Sequence, residues 1–270
     1  MSRPNERIGF IGLGSQGGPM AHRIVDAGMD LTVWARRPEV HEAYEAKGAK
    51  TAASVIELAK HCDHIGVCVV NDADVEDICA DLIPFMATGS RIAIHSTILP
   101  ETCVKLAAQC AERGIGLIDA PVSGGQPAAE AGTLTVMCGA KPEHFAAAKP
   151  VFETFGKLIV LLGEPGAGQR AKIINNSLMA ANMGLAQAAL EAGETLGCDR
   201  KALAELVNAS SGHSFGFEVL ARMPSPTAFA HGAALLAKDV ALLGTVLPEH
   251  AGAEVLRTTA EPFLTAATKG

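Results

Sequence analysis

The sequence predicts a doubly wound α/β domain followed by an all-helical one. Three observations carry that prediction. Short apolar or β-branched runs alternate with helix-like segments from Arg7 to Leu162. A glycine-rich turn closes the first of those runs. After the breaker cluster Gly163-Glu164-Pro165-Gly166-Ala167-Gly168 the chain becomes rich in Ala, Leu, Glu and Gln at helical spacing. The boundary falls in 163–168, giving domains 1–165 and 166–270.

Taken in order, Arg7-Ile8-Gly9-Phe10-Ile11-Gly12 is the first strand, and a helix follows from about Gly17 to Ala27. Leu31-Thr32-Val33-Trp34 is the second strand. The runs His64–Val70, Arg91–His95, Ile115–Ile118, Leu134–Met137 and Leu158–Leu162 are nearly continuous in apolar residues. Such runs suit strands buried on both faces of a largely parallel sheet. From about Gln169 to Leu196 one long helix is expected. Its apolar residues Ile173, Ile174, Leu178, Met179, Met183, Leu185 and Leu190 spread around much of its circumference. A helix of that kind belongs in the middle of a helical domain or at an oligomer interface. No tandem repeat or low-complexity tail is visible.

The composition narrows the function classes. The 270 residues are 49% hydrophobic and 19% charged, enough for a substantial core, and the 4% of aromatics leaves that core to Ala, Val, Leu and Ile. A net charge of −7 speaks against non-specific nucleic-acid binding and suits a cytoplasmic protein. The seven cysteines (Cys62, Cys68, Cys79, Cys103, Cys110, Cys138 and Cys198) form no C-x-x-C pair. They read as buried reduced thiols, with no zinc site and no disulfide framework. The N-terminus Met1-Ser2-Arg3-Pro4-Asn5-Glu6-Arg7 has no apolar leader, and no stretch approaches the roughly 20 uninterrupted apolar residues of a membrane span.

The turn after the first strand carries the strongest chemical signal. Gly12-Leu13-Gly14-Ser15-Gln16-Gly17 is G-x-G-x-x-G between a strand and a helix. Gly12 permits the tight turn, Gly14 admits a pyrophosphate to the backbone, and Gly17 lets helix and strand pack closely. The helix N-terminus then aims its amides at the phosphates. In this setting the motif indicates a Rossmann-type dinucleotide cradle. The second strand ends in Trp34-Ala35-Arg36-Arg37-Pro38, with no acid before Glu39 to take the ribose of NAD. Two guanidiniums there suit a 2′-phosphate, so NADP is favoured, with NAD as the alternative if Arg36 and Arg37 are solvated loop arginines.

In the long helix, Lys172 and Asn176 lie four residues apart within Gln169-Arg170-Ala171-Lys172-Ile173-Ile174-Asn175-Asn176 and so share a face. A lysine and an amide meeting at one point can hold a substrate oxygen and give it a proton. The apolar surroundings would desolvate the ammonium and lower its pKa. Taken alone, the segment reads equally well as a solvated face.

Four separated motifs together resemble the β-hydroxyacid dehydrogenase family, which includes 3-hydroxyisobutyrate dehydrogenase and tartronate semialdehyde reductase. Gly12 through Ala21 looks like the family opener G-L-G-x-M-G-x-P-M-A, with Gln16 in place of the usual Met. Asp119-Ala120-Pro121-Val122-Ser123-Gly124-Gly125 matches its substrate motif. Gly163 through Asn176 matches G-x-x-G-x-G-x-x-x-K-x-x-N-N, and Lys238-Asp239 resembles a pair in its helical domain, which is of the 6-phosphogluconate dehydrogenase type. The resemblance implies Lys172 as general acid in carbonyl reduction and general base in the reverse direction, with Asn176 holding the substrate or orienting the lysine. It implies Ser123, Gly124, Gly125, Asn175 and Asn176 at the substrate, a Gly-Gly turn after a strand being a sensible anion nest. It implies Gly12, Leu13, Gly14, Ser15, Gln16, Gly17, Arg36, Arg37, Val70, Asn71, Thr97 and Lys238 at the cofactor.

There are departures. Gln126-Pro127-Ala128-Ala129 replaces the usual small residue followed by Gly-Ala, and His213 lies in a segment expected near the pocket, where it lines the site or sits on the surface. The chain stops at Gly270, where relatives usually continue for another helix. The resulting expectation is metal-free oxidoreduction of a small carboxylate (a β-hydroxy acid and its semialdehyde) by a cytoplasmic homodimer or homotetramer that binds neither nucleic acid nor membrane. Two readings stand beside it: imine reduction, which Lys172 argues against, and a non-catalytic dinucleotide sensor, which has no use for Lys172 and the carboxylate nest together.

Overall fold

The structure is a computed structural model that describes residues 6–269. Residues 1–5, most of the N-terminus read as lacking a leader, and Gly270 lie outside the described residues. The contacts divide the chain into two compact units, 1–172 and 173–270.

The first unit runs β1 (Arg7–Ile11), α1 (Gly17–Asp26), β2 (Asp30–Trp34), α2 (Glu42–Glu45), β3 (Lys50–Thr51), α3 (Val55–His61), β4 (His64–Val67) and α4 (Asp72–Leu82). It continues through β5 (Arg91–Ile94), α5 (Pro100–Ala111), β6 (Gly116–Asp119), β7 (Val122–Ser123), α6 (Gly125–Ala131), β8 (Leu134–Gly139), α7 (Pro142–Phe152) and β9 (Gly156–Gly163), then the first residues of α8 (Ala167–Thr195). The strands form one sheet in the order β3-β2-β1-β4-β5-β6-β8-β7, with β9 also paired to β8. From β3 through β6 every pairing is parallel, whereas β8 runs antiparallel to β6 and β7. Strand order reverses beside β1, so the crevice at the carboxyl ends of β1 and β4 is where such a sheet takes a ligand.

Alternate residues of the strands feed two apolar clusters, one on each face. Ile8, Phe10, Met20, Phe152 and Phe155 belong to one; Ile11, Leu58, Ile65, Ile92 and Leu106 belong to the other. One strand departs from the expectation of burial on both faces. In β9, Leu158 is 55% and Leu162 45% exposed. The strand has β8 as its partner, so its apolar run reflects one packed face and not two.

The second unit holds the rest of α8 with α9 (Arg200–Asn208), α10 (Phe215–Ala221), α11 (Ala230–Val246) and α12 (Ala251–Thr268). Ala180, Met183, Leu190, Phe217, Leu236 and Phe263 are among its core residues. Gly184 lets α8 lie against α12, since a Cβ there would run into the Thr259 carbonyl. Burial does not extend all round α8 as its composition suggested. Ile174, Leu178 and Leu185 are each about half exposed and share one face. By length and composition one helical stretch, Pro226–Val246, reaches the hydropathy of a membrane span, at a mean hydropathy of 1.3, although Lys238 and Asp239 interrupt its apolar run. Ala233, Leu236, Val240 and Leu243 of that stretch pack into the cores of the second unit, and Asp239 within it is buried.

Candidate active site

The glycine-rich turn has the geometry its sequence demands. Gly12 adopts a φ of 95°, and a Cβ on it would strike the Cys68 carbonyl at the end of β4. A Cβ on Gly17 would strike the Gly12 carbonyl, so α1 starts in close contact with the turn. Gly14 faces open space, leaving its backbone approachable. A cavity of about 470 Å³ lies beside this turn, lined by Gly12, Leu13, Gly14, Trp34, Arg36, Arg37 and Val70 among others. Gln16 Nε2 is buried and finds no hydrogen-bond partner among the described residues. An open glycine backbone at a helix start, two arginines at the far wall and an orphaned amide donor fit a phosphate-bearing dinucleotide.

Arg36 Nη2 lies 3.2 Å from Asp74 Oδ1, which fixes the guanidinium at the rim, while Arg37 is exposed. Val70 is 68% exposed after β4. Asn71 serves as N-cap of α4, its Oδ1 accepting from the Asp74 amide at 2.9 Å. Ser15 is exposed on the turn.

Thr97, Ser123 and Lys172 belong to the same unit. Thr97 follows β5 and is half-buried, Ser123 ends β7, and Lys172 is only 8% exposed on α8. Gly124 and Gly125 follow Ser123 with φ of 127° and 68° and are exposed. Only glycine adopts that pair of conformations without strain, and it leaves their backbone accessible.

Two side chains that sequence reasoning left without a role tie these pieces together. Asp119, at the end of β6 and fully buried, accepts the Gly166 amide on Oδ1 at 2.7 Å and the Gln169 amide on Oδ2 at 2.8 Å. Burial pushes its carboxyl up to about 6, and the amides of Gly166, Gln169 and Gly168 pull the other way. Gln169, also fully buried, donates from Nε2 to the Ser96 carbonyl at 2.8 Å and accepts the Ile98 amide on Oε1 at 3.1 Å. Those two backbone groups flank Thr97. Asp119 stands inside the quoted substrate motif; a carboxylate ending the apolar strand Gly-Leu-Ile-Asp was the available signal.

In the second unit, Asn176 Nδ2 donates to Asp239 Oδ2 at 2.5 Å, and Asn175 Nδ2 donates to Asn176 Oδ1 at 3.1 Å. Asp239 is 3% exposed, and Lys238 Nζ lies 3.8 Å from its Oδ1. The second residue of the Lys-Asp pair thus orients Asn176. His213 is at the surface beside Glu218, at 3.5 Å. Cysteine chemistry has little purchase: burial pushes Cys62, Cys68, Cys110 and Cys138 up to about 12. Cys198 differs from the expected buried thiols in being exposed. Among the described residues no cluster of three His, Cys, Asp or Glu side chains is arranged to hold a metal ion.

A doubly wound sheet with this cradle, followed by a helical unit and a buried lysine on the connecting helix, defines a dinucleotide-dependent oxidoreductase. Residues 7–163 match a family model described as the NAD-binding domain of 6-phosphogluconate dehydrogenase, and residues 166–270 match one described as the NAD-binding domain of NADP-dependent 3-hydroxyisobutyrate dehydrogenase. The chain belongs to the β-hydroxyacid dehydrogenase family and is an NAD(P)-dependent 3-hydroxyacid dehydrogenase. It is 36% identical to the NAD-dependent L-serine dehydrogenase of Pseudomonas aeruginosa, over 88% of this chain and 84% of that one. It is 34% identical to mouse mitochondrial 3-hydroxyisobutyrate dehydrogenase, over 87% of this chain and 74% of the relative. Among solved structures, Mycobacterium tuberculosis 3-hydroxyisobutyrate dehydrogenase with L-serine superposes with a TM-score of 0.88 at 25% identity, covering 100% of this chain and 95% of that one.

Proposed function

We propose that the enzyme interconverts a small β-hydroxy acid and its semialdehyde, of the 3-hydroxyisobutyrate or 2-hydroxy-3-oxopropionate type, with NADP(H) preferred and Lys172 as general acid and base. The observation that carries the reading is the buried Lys172 on α8, in the same unit as Thr97, the half-buried Ser123 and the exposed Gly124 and Gly125. A bound nicotinamide supplies or accepts the hydride. The chain's own groups do the rest. The Ser123 hydroxyl and the exposed amides of Gly124 and Gly125 anchor the substrate carboxylate. Lys172 Nζ gives its proton to the carbonyl oxygen as it gains negative charge, and takes it back in oxidation. For Asn176, which Asp239 holds, and for Lys238, the family resemblance implies roles at the substrate and at the cofactor respectively.

NADP over NAD rests on Arg36 and Arg37 at the cavity wall, where the second strand brings no carboxylate for a ribose diol. Relatives favour neither cofactor uniformly, since one is named NAD-dependent and one matching family model NADP-dependent. The same proposal includes assembly to at least a dimer, supported by the half-exposed Ile174, Leu178 and Leu185 on one face of α8. It also includes a cytoplasmic location, supported by seven unpaired cysteines.

A panel of small semialdehydes and hydroxy acids, assayed with NADPH and NADH in the native and Lys172→Ala enzymes, tests the reading. Turnover is expected with a β-hydroxy acid or its semialdehyde, with the lower KM for NADPH, and Lys172→Ala is expected to bind NADPH normally but keep only a small residual rate. Reduction of imines without turnover of any semialdehyde would reject it.

A further inference from the structure

Asp119 and Gln169 are fully buried polar side chains that the proposed reaction does not touch. A helix usually satisfies its first amides with its own N-cap side chain, which moves with it. Here the carboxylate comes from a strand end, 47 residues before Gly166 and 50 before Gln169. Satisfying the amides therefore fixes the helix to the sheet.

The glycines of the motif serve the same contact. A Cβ on Gly168 would run into the Met137 carbonyl and lie 2.9 Å from Asp119 Oδ2. A Cβ on Gly139 would run into Asp119 Oδ1 and lie 2.8 Å from the Ala167 amide. The first turn of α8 is thus pressed onto the ends of β6 and β8. Gln169 adds a second tie, holding backbone groups on both sides of Thr97. Ser96 Oγ in turn accepts the Val69 amide at 2.8 Å, extending the connection to the end of β4. Lys172 lies three residues beyond Gln169, on the same side of the helix.

We propose that Asp119 and Gln169 are positioning residues for Lys172: they lock the start of α8 to the ends of β5 and β6, and so fix the ammonium relative to Thr97 and Ser123. This rests on the reading of Lys172 as the proton donor. A displacement of about 1 Å costs on the order of 100-fold in rate when a reacting group is involved.

The test is a double-mutant cycle on the full enzyme with NADPH and its best semialdehyde. Asp119→Asn replaces an acceptor with a donor facing the helix amides; Gln169→Met keeps the shape and loses both hydrogen bonds. Each is measured alone and with Lys172→Ala, following kcat, KM and the NADPH Kd by fluorescence. In the native background each should lower kcat by roughly 10- to 100-fold, with the NADPH Kd unchanged. With Lys172→Ala present, neither should lower the residual rate further. The same fold loss in both backgrounds, or native kcat in Gln169→Met, would overturn the clamp. If Asp119→Asn does not fold, Gln169→Met alone decides. Native turnover by Lys172→Ala by itself would instead overturn the lysine reading, and the clamp with it.

Discussion

Arg36 and Arg37 stand after β2 at the wall of the cavity beside the glycine-rich turn, and Asp74 holds the first of them in place. The pair is too exposed to add much stability, the Arg36 side chain being 70% accessible, so its value is orientation. Loss of both arginines should raise the KM for NADPH about 10- to 100-fold, the cost of losing charge-assisted bonds to a phosphate, and leave the KM for NADH nearly unchanged. Steady-state kinetics of the Arg36→Ala/Arg37→Ala enzyme checks this; equal changes for both cofactors would remove the case for a 2′-phosphate. At this scale a sequence can suggest a site only where its groups are close along the chain. Lys172 and Asn176 are four residues apart on one helix, and Gly12 to Gly17 form one turn. Asp119 and Gln169 stayed silent because their partners lie between 47 and 73 residues away. No spacing rule reaches that far.

The long apolar runs marked the strands of the first unit, since a strand covered on both faces must be apolar throughout. The two-residue strands β3 and β7 left no such mark, because pairing with β2 and β8 creates them, not their own composition. The run in β9 misled for the related reason that an apolar sequence does not reveal how many faces are packed. Two central strands also carry a titration. His64, in β4, is fully enclosed, with neither ring nitrogen hydrogen-bonded among the described residues, and burial lowers its pKa to about 3. His95, just after β5, is lowered by burial to about 4 despite a contact from Nδ1 to the Ala120 carbonyl at 2.8 Å; its ring packs on Phe10, Phe152 and Phe155.

Both histidines are neutral above pH 6.5 in either state. Below it the unfolded chain takes up protons that the folded chain refuses until about pH 4 and 3, so stability falls with pH. Each contributes a loss of about 1.4 kcal/mol per pH unit. Asp119 has the opposite sign: its raised pKa adds stability as pH falls through about 6. Comparing the native enzyme with His64→Phe isolates one histidine. Between pH 6 and 4.5 the variant should lose about 1.4 kcal/mol less per unit. Urea unfolding at several pH values measures it, and parallel losses would show that His64 does not resist protonation in the fold.

For the molecule as a whole, the division into a nucleotide-binding sheet and a helical unit was visible in the change of composition after Gly163, because each half buries apolar residues at a different period. The exposed stripe on α8 is the surface that the proposed assembly would cover. Ile174, Leu178 and Leu185 lie on one face at about half exposure, an arrangement suited to burial against a second copy. Light scattering at micromolar concentration should give at least a dimer, with Leu185→Glu shifting the population towards monomer; a native monomer would contradict it. Every part proposed for the reaction converges on one proton. The most direct measurement is single-turnover oxidation of NADPH by the Lys172→Ala enzyme with its best semialdehyde, at saturating concentrations of both. A rate lowered roughly 100- to 10,000-fold with an unchanged NADPH Kd is expected for loss of a general acid. A rate near that of the native enzyme would show that the proton comes from elsewhere.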